Sequence, residues 1–520
     1  MSLINNSDEL FTLIKSMSMS EKRYFKIIAS KHVIGEKNNY IRLFEVLEKQ
    51  KNYDEEAIRK KFHNKKFIKQ LAVTKTYLYK LILKAMQGYN GQTSIDGELR
   101  GMLADVDFLY YKGLYTQSSK ILKKVKSLAY KYEQNIFLLE LLEKERRSMM
   151  EQGTDILKVE VNHAQLFNEK DKVLSKIKNT DQYLIIQDHL LMDLYKTDVN
   201  ITEAEQQKYH ALVNNPLLLN EQLATSSQSK IAFYNSNAFI HSYLGNLALS
   251  YKYRKKVLDY IESHPEHLQK NPAILISAYN NLIIGCNNQK KYDEALLHIH
   301  NLRKYKVDNI RLKAKIFETS YIAELHIYIQ AGEYTKAMKI IVDVEKGLNT
   351  YKNQINKIQQ IVFFLNIASV YIGVCRYNDA MIWNNKLLND MEAGIRYDAL
   401  SYSRIINLII HYELKNYDQL EYFVKSTYRF LSKQKHLHKI EAIFLHFIEK
   451  KLPAINNKDL LIKSFSELKK ELILISKKPA ESYGLEYFDF ISWLESKIEN
   501  RSFAEIVKEK FSKKGLWKNY

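Results

Sequence analysis

Glycine and proline are scarce in this chain. There are 15 glycines and 5 prolines among 520 residues, about 4% where ordinary usage gives roughly 12%. That shortage excludes architectures built on many tight turns, such as β-sandwiches, barrels and propellers. It also excludes long flexible linkers and collagen-like segments. Cysteine is scarcer still: only Cys286 and Cys375 are present, in no C-x-x-C and in no metal-ligand spacing. Two isolated thiols in so long a chain fit a reducing compartment and read as small core residues at helix contacts. Long hydrophobic runs are missing too. The longest, Ile361 to Val374, contains Asn366 and Ser369 and is too short and too polar to span a bilayer. No charged stretch followed by an apolar run opens the chain at Met1, so no secretory leader is expected. These absences predict a cytoplasmic protein that does not enter a membrane.

Apolar residues make up 46% and charged residues 27%, too apolar for disorder. What remains is an all-α protein. Its charge is lopsided, with 79 Lys+Arg against 59 Asp+Glu and a net of +20. Such a balance favours anionic partners. Only 14 of the basic residues are arginine, however. With abundant Tyr, Asn and Ile, that bias is also what an AT-rich genome produces. Lysine lacks the planar fork that grips phosphate and guanine bidentately.

The chain divides into three regions: a basic helical domain over 1–90, a repetitive helical region over 95–450, and C-terminal capping helices with a basic tail over 451–520. The first 86 residues hold 18 Lys/Arg and 9 Asp/Glu, a net of +9. A helix start is expected at Ser20-Glu21, with Ser20 as its N-cap, and a further helix over Tyr40–Lys49 with Leu43, Phe44 and Leu47 facing inward. No Asp or Glu occurs between Ala57 and Ile95. Lys61, Lys65 and Lys69 recur every four residues, so a continuous helix would align them. With Lys66, Lys75, Lys80 and Lys84 they form a candidate basic patch for phosphate or acidic protein. The bland reading is a solvated face on a capping bundle, which repeat arrays need at their ends. Phe67, Leu71, Leu78, Leu81, Ile82 and Ala85 supply the apolar stripe beneath. The polar stretch Gln87–Ser94 reads as a linker.

The middle of the chain repeats. Asn288-Gln289-Lys290-Lys291-Tyr292-Asp293-Glu294-Ala295, Gln330-Ala331-Gly332-Glu333-Tyr334-Thr335-Lys336-Ala337 and Val374-Cys375-Arg376-Tyr377-Asn378-Asp379-Ala380 share a turn, a tyrosine, two polar residues and a small residue. Leu414-Lys415-Asn416-Tyr417-Asp418-Gln419-Leu420 is a weaker copy, and the tyrosines lie 42, 43 and 40 residues apart. Earlier copies begin at Lys112 and Leu244. Apolar helical periodicity flanks each turn on both sides. Each unit is therefore helix, turn, helix, with an alanine where two helices approach closely and a tyrosine filling the gap between pairs. One pair cannot bury its apolar faces alone, so neighbours stack.

These residues resemble the tetratricopeptide repeat (TPR) family, on the turn signature and on the aromatics Tyr279, Tyr321 and Phe364 of the first helices. The period of 40–43 residues exceeds the family's usual 34, and Glu324 and Asn407 stand where that family prefers leucine. The resemblance implies an α-solenoid of stacked antiparallel helix pairs, about eight units over 95–450 with degenerate copies in 130–240. It further implies an inner groove in which Asn280, Asn287, His326, Gln330 and Ser369 face a partner.

No nucleotide-binding, nucleophile-elbow or zincin motif occurs in the sequence. His298/His300 and His436/His438 are spaced i,i+2, which points the rings to opposite sides of a helix. His264 and His267 flank a proline-containing connection. No catalytic, cofactor or metal residue is assigned. The expected function is a non-catalytic scaffold or adaptor that binds a protein or peptide. The alternative is a nucleic-acid-associated regulator whose basic N-terminal domain contacts DNA or RNA while the solenoid senses a partner. An enzyme with an unfamiliar site is the third reading.

Overall fold

A computed structural model describes residues 7–31, 39–152, 156–194, 203–266, 271–390, 397–433, 439–451, 458–476 and 488–513. Among the described residues there is no strand, and no helix is long and apolar enough to cross a membrane. The fold is all-α and solenoid-like. His267, His436, His438 and the basic tail from Lys514 lie outside the described residues.

The N-terminal domain comprises α1 (Ser7–Ser16), α2 (Met19–Lys31), α3 (Asn39–Lys49), α4 (Glu55–Lys61) and α5 (Leu71–Thr93). Leu10, Ile14, Phe25, Leu43, Phe44, Leu47, Leu78 and Ile82 close a core of their own. The cap of α2 is Ser18 rather than Ser20: the Glu21 backbone N–H donates to Ser18 Oγ at 3.2 Å and the Ser18 N–H to Glu21 Oε2 at 2.6 Å, a reciprocal capping box. The expected linker is helix. α5 runs through Gly88 and Gly91 to Thr93, and it packs on α2 at one end and on α6 (Ile95–Tyr111) at the other. Gly97 explains the tight junction, because a Cβ there would lie 2.3 Å from the Asn90 carbonyl oxygen.

The hairpins follow: α6 with α7 (Tyr115–Lys131), then α8 (Asn135–Gln152). The stretch that was expected to hold degenerate repeats instead holds α9 (Ile156–Leu194), a single helix of 39 residues, with the short α10 (Glu203–Val213) and α11 (Pro216–Leu219). Regular pairs resume with α12 (Ser227–Tyr243) and α13 (Leu247–Ser263), α14 (Ala273–Asn288) and α15 (Tyr292–Lys304), α16 (Ile310–Gln330) and α17 (Tyr334–Thr350), α18 (Lys357–Gly373) and α19 (Tyr377–Asp390), and α20 (Tyr397–Glu413) and α21 (Tyr417–Lys433). The four repeat tyrosines are each the first residue of a second helix. The long period comes from helices of 13–21 residues and from connections such as Tyr305–Asn309 and Tyr351–Asn356.

One turn is used throughout. Two residues before each second helix the backbone is left-handed: Gly113 (φ 74°), Gly245 (77°), Lys290 (57°), Gly332 (68°), Cys375 (59°) and Lys415 (60°). The next N–H bonds the carbonyl five residues back: Lys291 to Cys286 at 2.8 Å, Glu333 to Tyr328 at 2.9 Å, Arg376 to Tyr371 at 2.8 Å, Asn416 to His411 at 2.9 Å. This Schellman closure satisfies the last carbonyls of the first helix and reverses the chain. It also corrects the reading of Cys375, which is exposed on the turn; Cys286 alone is a core residue.

Tyr334 and Tyr292 are buried, as are Ala295, Ala337 and Ala380. Tyr334 lies against Gly373 of the next unit, where a Cβ would be 2.1 Å from its ring. So the tyrosine does fill the gap between pairs. Tyr417, on the weakest copy, is exposed.

The last helices do more than cover an end. α22 (Lys439–His446) leads into a π-helical turn (Phe447–Lys451) and then α23 (Lys458–Ser476), α24 (Phe490–Glu499) and α25 (Phe503–Lys513). Trp493 Nε1 donates to Glu413 Oε1 at 2.7 Å, at the end of α20. Phe503 then meets Tyr334 at 5.7 Å between ring centroids, and Phe511 meets Tyr292 at 5.1 Å. The C-terminal segment thus travels backward along the turns, from the last hairpin to the one at α14/α15.

Candidate functional site

Curvature locates the groove. The first helices of successive pairs pack on one another, α14 on α16, α16 on α18 and α18 on α20, whereas the second helices make no comparable contact with each other. The first helices therefore form the inner, closer-spaced layer, and the face of each that meets no neighbour lines the concave side.

On α14 that face carries Ser277, Ile284 and Asn288, all exposed, with half-buried Asn280 between them. Neighbouring positions are taken: Arg254 of α13 donates from Nη1 to the Asn281 carbonyl at 2.9 Å, and its Cδ would lie 2.9 Å from a Cβ on Gly285. On α16 the same face carries Ile322, His326 and Gln330, spaced four apart, with the last two exposed. His326 has an informative environment. Its side chain is exposed, yet surrounding protein desolvates the ring and lowers its pKa. Loss of hydration disfavours the protonated ring, so the imidazole is held toward its neutral form. Asn287, half-buried near the end of α14, has no hydrogen-bond partner for Oδ1 among the described residues.

The predicted strip then stops. Ser369 is buried and its hydroxyl donates to the Leu365 carbonyl at 2.9 Å within its own helix. Every residue from Ile367 to Gly373 is buried, and from Ala399 to His411 only Leu400 and Arg404 escape full burial. The apolar run noted in the sequence is thus the inner helix α18, apolar on all sides because it is packed on all sides. Of the five groove residues, Asn280, His326 and Gln330 share an accessible strip, Asn287 lies at its edge and Ser369 does not belong to it. Ile284 and Ile322 lie beside them, four residues from Asn280 and His326 respectively.

The basic patch is also rearranged. Lys61 ends α4, a turn follows, and Lys66–Gln70 form a 3₁₀ segment before α5. Lys61, Lys65 and Lys69 therefore do not lie along one helix. Lys75 leaves the patch altogether: it is buried and ion-paired with Glu55, with Tyr53 as a second partner. Lys75, Tyr53 and Arg59 hold the Glu55 carboxyl down at about 2 despite partial burial. Lys61, Lys65, Lys66, Lys69, Lys80 and Lys84 are exposed, and none has a carboxylate within ion-pair distance among the described residues.

A recess of about 420 Å³ lies between α17, α18 and α19, lined by Glu345, Lys352, Phe364, Trp383 and Lys386. The Lys386 ammonium caps the Trp383 ring at 3.4 Å, a cation–π contact that occupies the aromatic face. No model of a known protein family matches this chain, and no curated protein matches it at a significant level.

Proposed function

We propose that the chain is a non-catalytic scaffold, a long-period relative of the TPR type, that binds a protein or peptide along the open strip of α14 and α16. The observation that carries this reading is the closer spacing of the first helices, which leaves Ser277, Asn280, Ile284, Ile322, His326 and Gln330 on one concave surface. Amides and a neutral imidazole alternate there with aliphatic side chains. That mixture suits a segment presenting backbone groups and apolar side chains together. Stacked pairs fix the strip in advance, so little ordering entropy is lost on binding.

A photo-crosslinking residue placed at Ile284 or His326 of the full-length chain is expected to capture a discrete partner in cells. The same residue at Leu297, exposed on α15, is expected to capture none. Equal capture at all three positions would refute the groove.

The unpaired lysines favour a second reading, contact with nucleic-acid phosphate by the N-terminal domain. Changing Lys61, Lys65, Lys66 and Lys69 to Glu is expected to lower the slope of log K against log salt by about 3–4 for duplex DNA. A slope that the substitutions leave unaltered excludes this contact.

A further inference from the structure

We propose that Cys286, Glu294 and His298, across the turn of the α14/α15 hairpin, form a zinc site. The sequence pairs His298 with His300, which points away. The fold pairs it instead with Cys286 and Glu294, whose ligand atoms and its own all lie within 4.8 Å of one another.

The shared turn shows why these side chains meet. The residue four before the left-handed turn residue faces the residue eight after it. In two other hairpins those positions hold stacked rings: His241 on Tyr253 at 5.8 Å and His411 on Phe423 at 4.5 Å. In α14/α15 they hold Cys286 and His298. One turn before His298 on the same helix face stands Glu294, where the other hairpins place Gln117, Leu249, Lys336, Asp379 and Gln419. Among the described residues, only this hairpin of the six that share the turn has a thiol, a carboxylate and an imidazole converging.

The His298 side chain is 15% exposed, and both ring nitrogens are buried without a hydrogen-bond partner among the described residues. Nε2 lies 3.6 Å from Glu294 Oε1, too far for a hydrogen bond but close to the edge of a tetrahedron around zinc. Buried polar atoms left unpaired are costly, and a bound cation removes that cost. Tyr251 of α13 donates to Glu294 Oε1 at 2.6 Å, the kind of outer hydrogen bond that orients a ligating carboxylate. Lys291 lies 3.8 Å from Glu294 Oε2 and also over the Tyr251 ring at 3.9 Å, so a cation can take its place at the carboxylate.

One sulfur, one nitrogen and one oxygen ligand select zinc over calcium or magnesium, which take oxygen ligands. Zinc takes cysteine as the thiolate. On binding, the S–H bond breaks, the proton goes to solvent, the Zn–S bond forms, and water remains in the fourth position. Affinity therefore rises with pH.

The test uses the full-length chain, stripped with a chelator and titrated with Zn²⁺ by calorimetry and with Co²⁺ by absorption. The expected result is a single bound ion and a thiolate-to-cobalt band in the near ultraviolet. Both are expected to be lost in Cys286→Ala and in His298→Phe, which installs the ring that α21 carries at this position, and retained in Cys375→Ala. Circular dichroism reports whether each variant folds, and Glu294→Gln, expected to weaken binding at least tenfold, replaces any that does not. Absence of binding in the unsubstituted chain, or a band that depends on Cys375, overturns the proposal.

Discussion

Gly332→Ala is expected to destabilise the protein by about 2–4 kcal/mol and to lift α25 off the turns. Two causes add. Gly332 has φ +68°, a conformation that costs an L-residue about 1–2 kcal/mol. A Cβ there would also lie 2.6 Å from the backbone nitrogen of Lys508 and 3.0 Å from the carbonyl oxygen of Ala504. Backbone cannot rotate aside as a side chain can, so the helix itself must move. With it would go the Lys508–Glu333 ion pair at 3.0 Å and the burial of Phe503 and Phe511. Hydrogen exchange should accelerate throughout Phe503–Lys513 while α12 and α13 keep their protection. Lys415→Gly provides the contrast. It stands at the same turn position with φ 60° and is exposed, so glycine is expected to relieve strain and stabilise by a few tenths of a kcal/mol. An unchanged α25 in Gly332→Ala would show that the C-terminal helix is not seated on that turn.

The contrast also shows what the sequence made legible. The tyrosine-led second helices, the close-packed alanines and the turn itself were readable because the Schellman closure is local: a helix end, a left-handed residue and a new helix fit within a short window. The same register held the correct reading of Cys375, since it stands two before Tyr377 as Gly332 stands two before Tyr334. Composition suggested a core residue, and position overruled it. Long-range effects were hidden. Nothing local says that Ser369 sits on an inner helix packed from every side, because burial there depends on how tightly successive pairs curl. Lys75 looked like one more lysine in an acid-free stretch, yet its partner Glu55 lies upstream of that stretch. The glycines of Gln87–Ser94 suggest a linker, but α5 continues through Gly88 and Gly91 despite their low helix propensity and packs closely on α6. The return of α24 and α25 along the turns has no periodic signature at all. Of the candidate site, residue types on one helix could be aligned by spacing, whereas the convergence of Cys286 with His298 required the turn geometry in three dimensions.

Glu324 tests whether the array tolerates a buried charge on the inner helix α16. The side chain is buried at the interface of α15 and α16, its carboxylate 2.6 Å from Arg303 Nη2 and accepting from the Tyr328 hydroxyl at 2.9 Å. Arg303 stacks on the Tyr321 ring at 3.8 Å and bonds Ser320 Oγ at 3.1 Å, so it is held in place from three sides. Removing one partner leaves the other buried without its counter-charge. Glu324→Leu alone and Arg303→Met alone are each expected to cost about 3–5 kcal/mol. The double substitution is expected to cost less than either, because two apolar groups of similar volume need no desolvation offset. Solenoids unfold unit by unit, so a single melting temperature would blur the effect. Exchange rates of the α15 and α16 amides isolate it, and a double-mutant cycle yields the coupling. Strict additivity would mean that the pair is solvated in practice and that this junction owes its stability to Tyr321 and the aliphatic core alone. Coupling of several kcal/mol would mean that the ion pair fixes the register of α16 against α15. The orientation of the inner strip bearing Ile322, His326 and Gln330 would then depend on a charge buried on the other side of the same helix.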